Sequence, residues 1–394
     1  MAKKLYIFIP FIFLLTSQVS SQEYLQIHAQ SIVADMHNDA VERYLRGQSI
    51  EVRSKKGHVD LFRLREGGVD ISFFALWPDI RKYHPDNMFN QTVRMLDSLY
   101  NVISRNSDIV GLIKNPDDIE KVLKDKKIAV GIGIEDGAAL EGDLGKLEYF
   151  YKRGVRYITL TWNYSNEIAT SSRDETYEAA SGFSGLTEFG IQVVRRMNEL
   201  GMMIDVSHSG IETFYDVIKT SSKPVIASHS GVYGICPHHR NLNDNQIKKL
   251  AQNGGVLFIN FSPFFLKKGF SKTYMLARKM ADAIEDSIQA GIYQRPFDRP
   301  AFIHHHIDPI YPSVKDVVDH IEYVVHLVGE DYVGLGSDFD GIPLTPAGLS
   351  DISKMPNITK ELVRRGYKQK SIEKILGGNF IRVFKTVCDT VKFK

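Results

Sequence analysis

The chain has 394 residues, 43% of them hydrophobic and 24% charged, which is enough apolar material for a sizeable core and too much for general disorder. Lys and Arg number 49 against 47 Asp and Glu, a formal charge of +2 that leaves no polybasic footprint for nucleic acid. The two cysteines, Cys236 and Cys388, exclude a small stapled scaffold and argue against a thiolate metal centre, so any metal falls to His and carboxylate ligands.

Residues 1–21, MAKKLYIFIPFIFLLTSQVSS, have the layout of an export signal. Lys3 and Lys4 form the basic start, Leu5 to Leu15 the apolar stretch, and Val19, Ser20 and Ser21 the small residues ahead of cleavage at Gln22. The apolar stretch is well short of the ~20 residues that a bilayer span takes. A periplasmic or secreted protein is expected, with no stable membrane span after cleavage. Residues 22–394 then form the mature domain, in which bases and acids balance at 47 each.

From there short apolar runs alternate with longer amphipathic stretches. Predicted strands are 31–36, 69–76, 128–134, 157–160, 202–206, 224–227, 256–261 and 332–336. Most are continuous apolar runs, the pattern of strands buried on both faces. Predicted helices are 90–103, 117–125, 144–153, 187–200, 211–220, 244–252 and 313–328, with 358–365 and 371–384 closing the chain. Gly154, Gly201 and Gly254 stand just past helix ends as stop signals. Eight such strands with helical crossovers predict one (β/α)₈ TIM barrel, with about 267–311 as an insertion before the last barrel strand. A doubly wound open sheet is the competing layout. The barrel is favoured because the polar residues fall at strand ends, which a barrel gathers on one face and an open sheet spreads.

Those strand-end residues carry the chemistry. His37 and Asp39, in DMHND, lie on one side of an extended segment and suit one metal. Glu135 ends the run AVGIGIE, where a buried carboxylate is costly unless a metal or a charge satisfies it, and its two oxygens could bridge two ions. His208 and His229 end two similar runs, MMIDVSHSG and PVIASHSG. A pair in the same context reads as ligands, with Ser207, Ser209, Ser228 and Ser230 as candidate outer donors. Asp338, in VGLGSDFDG, is left over to carry protons, and Asp340 to hold the loop. Five ligands are enough for two ions with Glu135 shared, which points to a two-metal hydrolase of unspecified substrate.

At these residues the chain resembles the membrane dipeptidase (renal dipeptidase) family of zinc peptidases, a branch of the metal-dependent amidohydrolases. The stretches that carry the resemblance run from DMHND (35–39) and GHVDLFRLREGGVDISFFALW (57–77) through GIGIEDG (131–137), GVRYITLTWN (154–163) and GLTEFG (185–190). They continue with NELGMMIDVSHSG (198–210), PVIASHSG (224–231), HHRNLND (238–244), GLGSDFDG (334–341) and ILGGNFIRVF (375–384). The resemblance implies a (β/α)₈ barrel with two zinc ions, one on His37 and Asp39, the other on His208 and His229, with Glu135 bridging and Asp338 as acid/base. It further implies Arg240 as the grip on a substrate's terminal carboxylate, hydrolysis of dipeptides including those with a C-terminal D-residue, and a homodimer. One departure bears on substrate: the best-known members carry His after Leu-Thr, where this chain has Trp162 and then Asn163, both read as substrate-binding. Another small amide, such as an N-acyl amino acid, is therefore the alternative substrate. A non-catalytic binding protein on the same barrel is the reading from another class.

Other candidates are set aside. His304, His305 and His306 are read as a loop, since no strand delivers them. His58 and Asp60 are read as buried supports on a turn and short helix, His320 as core-facing, and Phe73, Phe74 and Trp77 as core or pocket wall.

Overall fold

The computed structural model describes residues 21–84, 87–177 and 184–389, so the expected export segment lies outside the described residues apart from Ser21. All eight predicted strands form. They are β1 (Ala34–Asn38), β2 (Ile71–Leu76), β3 (Ile128–Glu135), β4 (Val155–Thr159), β5 (Met203–Asp205), β6 (Ile226–Val232), β7 (Val256–Ile259) and β8 (Val333–Leu335). They pair in chain order, each parallel to the next. Every residue in them is buried, which explains the continuous rather than alternating apolar runs.

Between β8 and β1 the barrel is closed by loop hydrogen bonds rather than by a long ladder. Asp338 N donates to His37 O at 3.0 Å, and Asp39 N donates to Phe339 O at 2.9 Å. Ser337 adds its N–H and hydroxyl to the Asp35 carboxylate at 2.7 and 2.8 Å. The open-sheet alternative is thereby excluded. The same bonds bring His37, Asp39 and Asp338 side by side.

Inside the barrel, Met36, Phe73, Tyr157 and Phe258 form one apolar cluster with Phe380 and Phe384 of the last helix, Asn379–Cys388. Gly131 and Gly133 of β3 are required there: a side chain at either would overlap the ring of Phe73 or Tyr157. Helices cover the outside. Capping boxes at Asn115, Asn243 and Ser313 start the helices Pro116–Lys124, Asp244–Gln252 and Val314–Val328, each within a few residues of its predicted start.

Several details depart from the sequence reading. Short extra strands, Val110–Leu112 beside β3 and Asn241–Leu242 beside β6, extend the sheet. The insertion is mainly two packed helices, Phe270–Gln289 and Arg299–Ile307. His304, His305 and His306 therefore lie on a helix, not a loop. Asp298 caps it by accepting from Ala301 N, and Pro300 is tolerated in its first turn. The last predicted helix is interrupted by a π-type turn at Lys374–Gly378. There Gly377 lies against the Ile32 carbonyl, and Asn379 Nδ2 donates to Glu330 O and Val333 O. Cys236 and Cys388 are both free and buried.

Candidate metal centre

His37 on β1, Glu135 at the end of β3, His208 after β5 and His229 on β6 converge with Asp39 and Asp338 at the C-terminal ends of the strands. All six are buried or nearly so. Glu135 is the hub. Its Oε2 stands 3.3 Å from His37 Nε2, and its Oε1 stands 3.0 and 3.4 Å from the Nε2 atoms of His208 and His229. His37 Nε2 is also 3.6 Å from Asp39 Oδ2, and the Nε2 atoms of His208 and His229 are 3.1 Å apart. His208 and Asp338 adopt left-handed backbone at φ 66° and 60°, strain that functional sites commonly hold.

These groups fit divalent metal. His37, Glu135 and His229 offer atoms within 4.8 Å of one another, and so do His37, Asp39 and Asp338. Buried His37 Nε2 and Asp39 Oδ1 have no hydrogen-bond partner among the described residues, a cost that a cation would remove. The donors are imidazole and carboxylate without thiolate, a set that suits zinc. Burial pushes His208 down to about 3 and His229 well below the ordinary histidine range, so both stay neutral, the form that ligates. Burial opposes charge on Glu135 as well, but the histidines around it, His37 first, hold it well below the usual carboxylate range.

The three histidines and Asp338 each have an outer partner. His37 Nδ1 meets Tyr157 Oη at 2.9 Å, His208 Nδ1 meets Asn163 Oδ1 at 3.0 Å, and His229 Nδ1 meets Ser228 Oγ at 2.8 Å. Asn260 Nδ2 donates to Asp338 Oδ2 at 2.8 Å. Of the four serines named from sequence, Ser228 touches an imidazole. Ser207 Oγ accepts from His229 N, Ser230 Oγ lies 3.5 Å from Arg240, and Ser209 Oγ has no partner among the described residues. Tyr157 and Asn260 were not anticipated. Nothing in sequence separates Tyr157 from a core aromatic, whereas Asn260, a polar residue ending an apolar run, follows the same strand-end rule as the ligands.

Asp340 holds the loop as expected. It accepts from His58 N and Val59 N at 2.7 and 3.1 Å and pairs with Arg43 at 3.3 Å. Next to it, a side chain on Gly341 would collide with the carboxylates of Asp39 and Asp338. Asp60 caps the helix Leu61–Glu66 and binds Arg63, while buried His320 bridges Val232 N and Leu266 O. None of these enters the centre.

A cavity of about 570 Å³ opens over the centre, lined by Asp39, Glu135, Asn163, Arg240 and Asp338, with Trp77, Trp162, Phe264 and Phe265 as apolar walls. The Trp77 and Trp162 rings lie 4.8 Å apart, and Arg81 stacks over Trp162 at 5.1 Å. Phe73 and Phe74 instead belong to the core. Arg240 is buried. One of its terminal nitrogens donates to His229 O at 3.1 Å, and Nε has no partner among the described residues. It also borders a second cavity of about 540 Å³, shared with His208 and His238.

A (β/α)₈ barrel with His and carboxylate ligands at its strand ends defines a metal-dependent hydrolase of the amidohydrolase kind. The model of the membrane dipeptidase family, peptidase family M19, matches residues 21–392, and the chain belongs to that family of metal-dependent peptidases. It is 31% identical over 379 residues to the dipeptidase verJ of Clonostachys rogersoniana, covering 92% of this chain and 86% of that protein. It is 32% identical to the dipeptidase tcpJ of Claviceps purpurea, over 84% of this chain and 70% of that one. Among solved structures, the probable dipeptidase PvdM of Pseudomonas aeruginosa superposes with a TM-score of 0.80 at 26% identity, covering 93% of this chain and 98% of that one.

Proposed function

We propose that the centre holds two zinc ions and hydrolyses dipeptides, including those with a C-terminal D-residue. The observation that carries this is the division of Glu135, one oxygen toward His37 and the other toward His208 and His229, as in a carboxylate shared by two ions. His37 and Asp39 would hold one ion, His208 and His229 the other. Bound zinc supplies Lewis-acid polarisation of the scissile carbonyl and lowers the pKa of water at neutral pH.

The chain's own groups do the rest. Asp338, with Oδ2 fixed by Asn260, takes a proton from the attacking water at Oδ1 and returns it to the leaving amine. Arg240 receives the terminal carboxylate on its unused donors, a role suited to a planar guanidinium. Trp162 and Trp77 form an apolar wall, and Asn163, besides lining the cavity, holds His208 by Nδ1. Relatives at 31 and 32% identity that bear the name dipeptidase support this substrate class.

The test is turnover of L-L and L-D dipeptides by the zinc-loaded mature protein, with bound metal counted. We expect two zinc per chain and hydrolysis that Glu135→Gln abolishes together with bound metal. Turnover no greater than that of the variant would overturn the reading. Trp162, which supplies neither charge nor proton transfer where a histidine was expected, favours a second reading, hydrolysis of an N-acyl amino acid or similar small amide. A panel profile preferring such amides to free-amino dipeptides would establish it.

Export and dimerisation belong to the same proposal. Among the described residues no helix is long and apolar enough to cross a membrane. Protein recovered from periplasm or medium should begin at Gln22, and light scattering should give twice the chain mass. An intact leader or a monomeric mass would refute the respective point.

A further inference from the structure

Asp205 ends β5 beneath the metal centre, fully buried and touching neither cavity. Four hydrogen bonds reach its side chain. Ser207 N and Ser228 N donate to Oδ1 at 3.0 and 2.8 Å, and Thr159 Oγ1 and Ser228 Oγ donate to Oδ2 at 2.5 and 2.6 Å. A serine hydroxyl has one proton. That of Ser228 goes to Asp205, so toward His229 Nδ1, 2.8 Å away, the same oxygen can only accept. Neutral His229 must then carry its proton on Nδ1. Its Nε2 lone pair is left bare, facing Glu135 Oε1 at 3.4 Å and His208 Nε2 at 3.1 Å. Ser207 Oγ, 3.5 Å from Ser228 Oγ, does not change this, because it could only bring a further proton.

We propose that Asp205 is a positioning residue that sets the tautomer of His229 through Ser228 and so readies that imidazole as a metal ligand. The inference rests on the proposed function only in taking His229 as a ligand. The partners of His208 and His37 are an amide and a phenol, so the effect of Asp205 is confined to the His229 side of the centre.

The geometry makes an asymmetric prediction. In Asp205→Asn the amide oxygen must stay toward the two backbone N–H groups, which places its NH₂ toward Ser228 Oγ. Ser228 then turns its proton to His229 Nδ1, the imidazole proton moves to Nε2, and the ligand atom is blocked. Ser228→Ala removes the relay without reversing it.

We therefore expect Asp205→Asn to weaken binding of one zinc ion about 100-fold in chelator competition and Ser228→Ala to weaken it about tenfold or less. The double variant should return to the level of Ser228→Ala. Native-like circular dichroism serves as the folding control. In zinc-free wild type, ¹⁵N shifts of labelled histidine should show His229 protonated at Nδ1, the signal being assigned by its loss in His229→Gln. This measurement decides the matter even if Asp205→Asn does not fold. Protonation at Nε2, wild-type zinc affinity in Asp205→Asn, or a double variant as weak as Asp205→Asn would each overturn the proposal. These readouts are zinc affinity and a proton position, so a different preferred substrate leaves them intact.

Discussion

Asn260, just past the end of β7, donates through Nδ2 to Asp338 Oδ2 in the loop after β8, at 2.8 Å. Burial raises the Asp338 carboxyl above the ordinary aspartate range, and this bond works against that rise while holding one oxygen still. Asn260→Ala should let the carboxyl rise further. Asp338 must be ionised to take a proton, so the acidic limb of the kcat profile should move to higher pH. The lost bond, about 1.5 kcal/mol, predicts a kcat about tenfold lower at the optimum with zinc content unchanged. An unmoved acidic limb would count against Asp338 as the base.

Trp162 fills the cavity wall against Trp77, 4.8 Å ring to ring, and its ring lies 6.3 Å from that of His208. Trp162→Ala should raise KM for substrates with large apolar side chains about tenfold, in line with about 1–1.5 kcal/mol of lost aromatic contact, and leave Gly-Gly nearly unaffected. Equal losses across a substrate panel would mean that the indole supports the fold rather than selecting substrate.

Asp340 and Arg43 form a buried pair, their side chains 2% and 9% exposed, and Asp340 also receives two backbone N–H groups from the segment before Leu61. Asp340→Ala removes the counter-charge from the buried Arg43, whose terminal nitrogens keep only the Lys56 and Val59 carbonyls, and strands both N–H groups. Denaturant unfolding should show a loss of about 3–5 kcal/mol. A loss below about 1 kcal/mol would show that the loop is held by other contacts.

Asp70 precedes β2 at the opposite end of the barrel, where burial raises its carboxyl from 3.8 to about 6 while Oδ2 accepts from Val33 N at 2.9 Å. The folded chain keeps a proton that the unfolded chain has released. Stability therefore falls as pH rises from about 4 to about 6 and is level above that. Asp70→Asn retains the acceptor without the charge. It should be more stable than wild type by about 2–3 kcal/mol at pH 7.5 and equal to it at pH 3.5. The same difference at both pH values would refute the assignment.

Much of the site was legible because barrel strands write it into local sequence. A run buried on both faces breaks off where it meets the cavity, and the polar residues at that break include those that face the chemistry, as with His37, Glu135, His208 and Asp338. The extra strand Val110–Leu112 was not legible, because three residues carry no period and its pairing with β3 depends on a neighbour. Nor was the π-type turn at Lys374–Gly378, which answers to the Ile32 carbonyl far away in the chain.

Sequence alone determined the barrel, its strand order, the ligand types and the family, since all of these rest on apolar runs and short motifs that each element carries within itself. Tertiary structure decided how the groups are paired. Which oxygen of Glu135 meets which histidine, and why Tyr157 reaches His37 across 120 positions, depends on the barrel closing and on Gly133 leaving room for a ring. Proton placement on His229 likewise follows from one hydroxyl lying between Asp205 and Nδ1, a distance that exists only once β5 and β6 lie side by side.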